Sequence, residues 1–301
     1  MRGRILLSFL VFGTCVLGSP GGVAAQLLPI FGDSFESANT LAWSLSVGEP
    51  PLAPAASFRA TDLDLRDPHL FVDIPVFGCF DFTDQALPLG LGPSFNGQLQ
   101  TMIETDGDSD SFLDLSLLVQ FRPLSTSVSG LRLDLTSGQC SDPPGSTSCD
   151  REPGSIPQTF SYTLPVAATC LAPIGGTTSG YSPSVAATPA PCWVSSARPI
   201  ALNLAEVLVP LIDFQIAASF EGEPPTGLTF GLMRGFLRES DADAVLLPPD
   251  LPFVGGQPLS ILLRGGTGNC AAGTDQDIHL GMSGWWFYLN FPAEPVPWTG
   301  I

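Results

Sequence analysis

The chain of 301 residues carries 29 acidic side chains against 11 basic ones, which gives a formal net charge of −18 at pH 7. Such a surface repels nucleic acid and anionic lipid, because binding to either needs clustered basic residues. Hydrophobic residues make up 44% of the chain and alternate in several stretches, so its 32 glycines and 30 prolines do not indicate disorder. The composition predicts a folded, acidic protein that does not bind nucleic acid.

Residues 1–25 have the organisation of an export signal. Arg2 and Arg4 provide positive charge, "ILLSFLVFGTCVLG" provides the apolar core, and "VAA" before Gln26 provides a small-residue cleavage site. The best later apolar stretch, residues 201–220, is interrupted by polar and charged side chains, so we expect no transmembrane segment. The sequence predicts a protein that is secreted, or located at the cell surface or in the periplasm.

The segment "IFGDSFESANTLAW" raises the question of catalysis. The letters "FGDS" around Ser34 resemble the first block of the GDSL (SGNH) hydrolases, in which this serine is the nucleophile. That family implies further blocks that form an oxyanion hole, and an Asp-x-x-His motif that supplies the base. Neither His69 nor His279 has an aspartate three positions before it, and no Gly-x-Asn-Asp block is present. Ser34 therefore lacks a base, and we assign no catalytic residue.

The same segment is also similar to the "IF-x-DGFESG…W" segment that follows the signal peptide in many exported bacterial proteins. Serine stands at position 34 where that segment has glycine. The resemblance implies export without catalysis. We assign residues 26–56 to an N-terminal arm and residues 57–301 to a single β-rich domain.

Hydrophobic periodicity predicts few helices and many strands. Ser94 is a candidate N-cap for a short helix in "SFNGQLQTMIE" that ends near Glu104. Apolar residues alternate in "LDLSLLVQF", "GLRLDLTSG" and "IDFQIAASF", which is typical of strands with one buried face. The predicted fold is mainly β, an antiparallel, jelly-roll-like β sandwich with a few short helices and long loops pinned by disulfides.

An acidic loop follows the predicted helix. The sequence "TDGDSDSFLD" has aspartates at positions 1, 3, 5 and 9 of a D-x-D-x-D-x-x-x-D pattern. A hard cation takes about six to eight oxygen ligands, and the backbone carbonyl at position 7 adds one, so this spacing predicts a calcium site. The loop resembles those of EF-hands, dockerins and thrombospondin type 3 repeats. This resemblance implies the ligands Asp106, Asp108, Asp110, Phe112 and Asp114.

The acidic loop departs from an EF-hand at two positions. Ser111 replaces the glycine that makes the sharp turn, and Leu117 replaces the bidentate glutamate. The loop also leads into a predicted strand, not into a second helix. These differences favour a structural calcium site that lacks one ligand, for which Asp241 and Asp243 are candidate donors. The alternative is a solvated acidic turn.

Six cysteines follow the predicted signal, and an even number in an exported chain favours disulfides. They are Cys79, Cys140, Cys149, Cys170, Cys192 and Cys270. Of the fifteen possible pairings, proximity favours Cys140 with Cys149 and Cys170 with Cys192. Cys79 is then left for Cys270. The Pro/Gly/Ser-rich residues 139–199 contain four of the six, and we interpret this segment as a disulfide-pinned excursion from the sheets.

The run "GWWFYLNF" near the C-terminus is unusually aromatic. As a strand, it places Trp286, Tyr288 and Asn290 on one face. If exposed, this face is a ligand-binding platform on which sugar rings stack; the alternative is a strand buried on both faces.

These features favour an exported calcium-binding surface or binding protein without catalytic activity of its own, whose partner is an extracellular glycan or protein. Two alternatives come from other classes. One is a carbohydrate-binding module, and the other is a secreted hydrolase that acts on polysaccharide or ester.

Overall fold

A computed structural model describes residues 55–141, 147–204, 207–249, 251–268, 270 and 272–299. The predicted signal, residues 1–25, lies outside the described residues, and so do Ser34 and nearly all of the predicted arm, residues 26–56. The first strand begins at Ala56, one residue before the start expected for the β-rich domain.

The described residues form mainly β-strands, with two α-helices. The strands are β1 (Ala56–Ala60), β2 (Asp64–Asp67), β3 (Phe71–Ile74), β4 (Gly78–Asp81), β5 (Leu117–Arg122), β6 (Leu131–Cys140), β7 (Cys149–Arg151), β8 (Gln158–Thr163), β9 (Thr169–Leu171), β10 (Thr188–Pro189), β11 (Cys192–Ser195), β12 (Arg198–Leu204), β13 (Val207–Glu221), β14 (Gly227–Arg238), β15 (Asp277–His279) and β16 (Met282–Val296). The helices are α1 (Phe95–Glu104) and α2 (Glu239–Ala244), with short 3₁₀ turns at Pro88–Gly90 and Leu259–Leu262.

Eight antiparallel strands close into a barrel in the order β1, β5, β6, β8, β11, β13, β14, β16. Closure depends on β1, which pairs with β5 on one side and with β16 on the other. The pairing with β16 runs from Ser57 opposite Val296 to Ala60 opposite Ala293. Four shorter strands add to this sheet: β2 and β15 pair with β16, β7 with β6, and β12 with β13.

The prediction of a mainly β fold with few helices is confirmed, but the sheet is a closed barrel where a jelly-roll-like sandwich was predicted. The two architectures share the alternation of inward and outward side chains along each strand. They differ in whether the first and last strands pair. That pairing joins residues more than 230 positions apart, and hydrophobic periodicity contains no information about it.

An aromatic cluster fills the barrel around Phe121. Its ring meets Trp193 at 5.1 Å, Tyr162 at 5.2 Å and Phe58 at 5.8 Å between centroids, with interplanar angles of 87–90°. Edge-to-face packing of this kind places the positive ring edge against a negative ring face. All four side chains are essentially inaccessible to solvent, so the barrel interior here is a packed core.

The outer face of β14 and β16 is also buried. A covering segment, residues 170–192, lies over it, and Leu171 packs there with Phe236, Trp286 and Tyr288. On the outer face of β5 and β6, Leu118 packs against the disulfide that joins the ends of β6 and β7. Part of the sheet is therefore buried on both sides, which differs from the single solvated face typical of antiparallel sheets.

Three disulfides join the cysteines as proximity suggested: Cys140 with Cys149, Cys170 with Cys192, and Cys79 with Cys270. The second closes the covering segment at its two ends. The composition of residues 139–199 suggested an excursion from the sheets, but this range also supplies β8 and β11, two strands of the barrel. Their alternating apolar residues are short runs between Pro- and Gly-rich loops, so average composition hides them.

Helix α1 begins where the sequence predicts. The Ser94 hydroxyl caps it by accepting the Gly97 N–H at 3.1 Å. The Asn96 amide exchanges hydrogen bonds with the backbone of Leu65 in β2, at 2.9 and 3.0 Å. At the other end, Arg59 of β1 donates to the Ile103 carbonyl at 3.0 Å. Helix α1 is thus fixed to β1 and β2, the two strands that pair with the same edge of β16.

The backbones of β14 and β16 approach each other so closely at Gly231 that one added methyl group should destabilise the fold. A Cβ added at Gly231 would lie 2.2 Å from the Phe291 carbonyl oxygen, whereas nothing lies within 4 Å of one added at Gly175. Gly231→Ala should lower the free energy of unfolding by about 1–3 kcal/mol through overpacking. The control, Gly175→Ala, should change it by less than about 0.5 kcal/mol. Urea unfolding measures both, and equal values for the two variants would contradict this packing.

Candidate functional site

Three of the four predicted aspartate ligands converge in the acidic loop between α1 and β5. Carboxylate oxygens of Asp106, Asp108 and Asp114 all lie within 4.8 Å of one another. Asp106 is half-buried, and the other two are exposed. Three negative charges at this separation repel one another, and a cation among them would remove that repulsion.

Backbone hydrogen bonds shape the acidic loop. Asp106 accepts the N–H groups of Asp110 at 3.0 Å and Ser111 at 2.8 Å, and Asp114 accepts the Gly107 N–H at 3.0 Å. Ser111 has a φ of +79°, the left-handed conformation that glycine normally provides at this position of an EF-hand loop. The sharp turn is therefore made despite the substitution that the sequence shows.

The remaining predicted ligands are placed differently. Asp110 is not part of the three-carboxylate group, and its Oδ1 accepts the Phe112 N–H at 2.9 Å. Asp241 forms an ion pair with Arg238 at 2.6 Å, and the Asp243 carboxylate accepts the Ser260 hydroxyl at 2.5 Å. Both candidate donors of extra ligands thus have partners around α2 and do not belong to the group in the acidic loop. Asp241 and Asp243 were candidates because they lie in an acidic run, and that run does not indicate that Arg238 and Ser260 are their partners.

The proposed sugar platform is buried, which corrects that hypothesis. Trp286 is 4% exposed and Tyr288 is fully buried beneath the covering segment. The Tyr288 hydroxyl accepts the Ile174 N–H at 3.1 Å. The Asn290 amide both accepts from and donates to the Ala186 backbone, at 2.9 and 3.0 Å. Tyr288 and Asn290 hold the covering segment on the barrel, and the rings of Trp286 and Tyr288 are not available for stacking on a sugar, as the alternative of a strand buried on both faces expects.

Both histidines contact aspartates. His69 Nδ1 lies 2.6 Å from Asp81 Oδ2, and His279 Nε2 lies 2.5 Å from Asp213 Oδ2. In the described part of the chain, the side-chain hydrogen bonds of the histidines go to these carboxylates and not to a serine hydroxyl. The nucleophile–base contact that a serine hydrolase needs is therefore not formed by these histidines within the described residues.

A polar cluster that the sequence did not indicate lies at the edge of the covering segment. The Tyr181 ring stacks on His69 at 3.8 Å between centroids, and its hydroxyl donates to Asp275 at 2.6 Å. Asp67 is 3% exposed and accepts the Ser179 N–H at 2.7 Å. Burial raises the pKa of Asp67 to about 7, against the lowering effect of that hydrogen bond. No spacing in the sequence indicates that these distant residues meet.

Sequence analysis also missed an apolar cavity of about 490 Å³ at α1. Strand β2, helix α1, strand β16 and residues 247–262 contribute to its walls. The cavity could not be predicted, because its apolar lining residues are far apart in the chain and look like ordinary core residues in the sequence.

The chain matches no family model, no curated protein and no solved structure. Neither helix of the described residues is long and apolar enough to cross a bilayer.

The buried Asp67 predicts a pH-dependent contribution to stability. Because its folded pKa lies above its unfolded value of about 4, stability is highest below that value and falls as pH rises through about 7. Asp67→Asn keeps an acceptor for Ser179 and removes this loss. From about pH 4.5 to 7.5, the wild type should lose on the order of 3 kcal/mol relative to the variant in urea unfolding. If the difference in the free energy of unfolding between wild type and variant stays constant across that range, the pKa of Asp67 is not raised.

Proposed function

We propose that this protein works outside the cytoplasm as a calcium-stabilised binding protein without catalytic activity of its own. The observation that carries the proposal is the convergence of Asp106, Asp108 and Asp114 in one loop. Carboxylate oxygens are the ligands that calcium prefers, and a flexible coordination shell tolerates the incomplete set better than the strict octahedron of magnesium does.

Charge supports a cation in the acidic loop. Among the described residues, no arginine forms an ion pair with the three converging aspartates, because the arginines that form ion pairs there do so with Asp64, Asp134 and Asp241. Solvent and counterions alone then offset the repulsion of these carboxylates. A weak site of the kind found in extracellular modules, with a dissociation constant on the order of 10⁻⁴ to 10⁻³ M, fits a loop that lacks the position-12 glutamate.

The surroundings of the acidic loop favour a structural role for the ion. Leu113 donates its N–H to the Cys140 carbonyl at 2.9 Å, and Phe112 forms a β-bridge with Ser141. The loop is thereby held beside the disulfide of Cys140 and Cys149. A cation here would fix the connection from α1 to β5. A calcium switch, in contrast, opens a pair of helices when it binds the ion.

Three disulfides support a location in an oxidising compartment, in agreement with the export signal expected from residues 1–25. We propose an extracellular glycan or protein as the partner, recognised through a surface other than Trp286 and Tyr288. The alternative, a secreted hydrolase of polysaccharide or ester, predicts turnover of such substrates by the purified protein, and the binding protein predicts none.

Calcium should raise the stability of protein that has been stripped with a chelator. At ten times the dissociation constant, binding to the native state adds about 1.4 kcal/mol, which is visible as a higher melting temperature. Magnesium at the same concentration should raise it less. Asp114→Asn keeps the acceptor for the Gly107 N–H but removes a charged ligand, so most of the calcium-induced shift should disappear.

Asp241→Asn is the matched control, because Asp241 pairs with Arg238 and not with the acidic loop. Loss of the ion pair should lower its own melting temperature slightly, but the calcium-induced shift should equal that of the wild type. The proposal is contradicted if the stripped wild-type protein melts at one temperature with and without millimolar calcium, or if Asp114→Asn keeps the full shift.

A further inference from the structure

The apolar cavity described above is much larger than a packing defect. Protein interiors contain few voids larger than a water molecule, which takes about 30 Å³ in the liquid. The volume of about 490 Å³ falls within the range of small-molecule pockets, about 300–1,000 Å³. Its deep wall consists of buried side chains from three strands, Leu65 of β2, Val209 of β13 and Phe287 of β16.

Helix α1 forms the outer wall of the cavity. Phe95 and Met102 are the apolar residues that it contributes. Gln98 and Thr101, one helical turn apart, are the polar side chains of the lining, and both remain exposed to solvent. The opening is therefore polar on the α1 side, while the depth of the cavity is apolar.

The described lining of the cavity has no charged side chain, which disfavours an ionised ligand. An anion would find no cation within the cavity and would enter against the formal net charge of −18. A cation would lose its hydration without gaining a carboxylate partner among the described side chains of the lining. Only a molecule that is uncharged along its buried part gains free energy by entering.

We propose that this cavity binds one uncharged molecule with a long aliphatic chain, whose single polar head lies at the opening beside Gln98 and Thr101. The Thr101 hydroxyl donates to the Gly97 carbonyl at 2.8 Å, which leaves its oxygen free to accept a hydrogen bond from the head. A methylene group is about as large as a water molecule, so the volume accommodates a chain of roughly 16 carbons.

This ligand site extends the proposed binding function and has no residue in common with the acidic loop. Ligand binding is therefore expected in the presence of a chelator as well as with calcium. Loss of the calcium-induced stabilisation and loss of ligand binding are separate outcomes, so each proposal succeeds or fails by itself.

Linear 1-alkanols from 1-hexanol to 1-dodecanol are suitable probes, and isothermal titration calorimetry on the full chain measures their binding. Saturable binding of one molecule per chain is expected, with affinity rising about fourfold for each added methylene. The heat capacity change on binding should be negative, as for burial of apolar surface. Absence of saturable binding, or an affinity that is independent of chain length, would overturn the proposal.

A comparison of 1-decanol with decanoate at about pH 8 tests the exclusion of charge. The wild type should bind the alcohol at least about tenfold more tightly than the anion. Met102→Lys places a cation in the wall and should lower this affinity ratio at least about tenfold, because the ammonium group attracts the carboxylate.

Met282→Lys is the matched control, since Met282 is also partly buried but packs on the outer face of the barrel. It should leave the ratio of the two affinities unchanged. A general structural disturbance by Met102→Lys would weaken both ligands and preserve the ratio. Equal binding of 1-decanol and decanoate by the wild type would overturn the proposal. An unchanged ratio in a Met102→Lys variant that keeps the wild-type affinity for 1-decanol would overturn it as well.

Discussion

The pairing of β1 with β16 is the constraint on which the rest of the structure depends. It closes the barrel. It also places β1 on the edge of β16 with which β2, the next strand in the chain, pairs in turn. Arg59 of β1 and Asn96 of α1 then fix the helix to these two strands. The acidic loop follows the end of α1, and Phe95 and Met102 of this helix line the cavity. Both proposed sites are thus positioned by one closure.

Several buried polar groups lie where the covering segment meets the barrel. The interior holds an aromatic core, so polar side chains of β2 and β16 that lie on the outside of the barrel need other partners. The covering segment supplies them: Tyr288, Asn290 and Asp67 all accept backbone N–H groups from it. The disulfide of Cys170 and Cys192 limits the conformations of this segment, which lowers the entropy that it loses when it docks.

Local signals in the sequence predicted local structure well. The Ser94 cap, the alternating strands and the pairing of nearby cysteines depend on neighbours in the chain, and the structure contains all of them. The acidic pattern predicted which aspartates converge, except that Asp110 lies outside the group. The aromatic strand is buried on both faces, which is the alternative that the sequence offered to an exposed platform. Features that need distant residues were not predictable: the closure of the barrel, and a cavity that joins Leu65 to Phe287.

The most direct test of the central claim is a crystal structure grown with millimolar calcium and measured for anomalous scattering. The account predicts one peak in the acidic loop, with carboxylate oxygens of Asp106, Asp108 and Asp114 at about 2.3–2.6 Å from the ion. A loop without an anomalous peak under these conditions, with the three carboxylates turned apart, would contradict it.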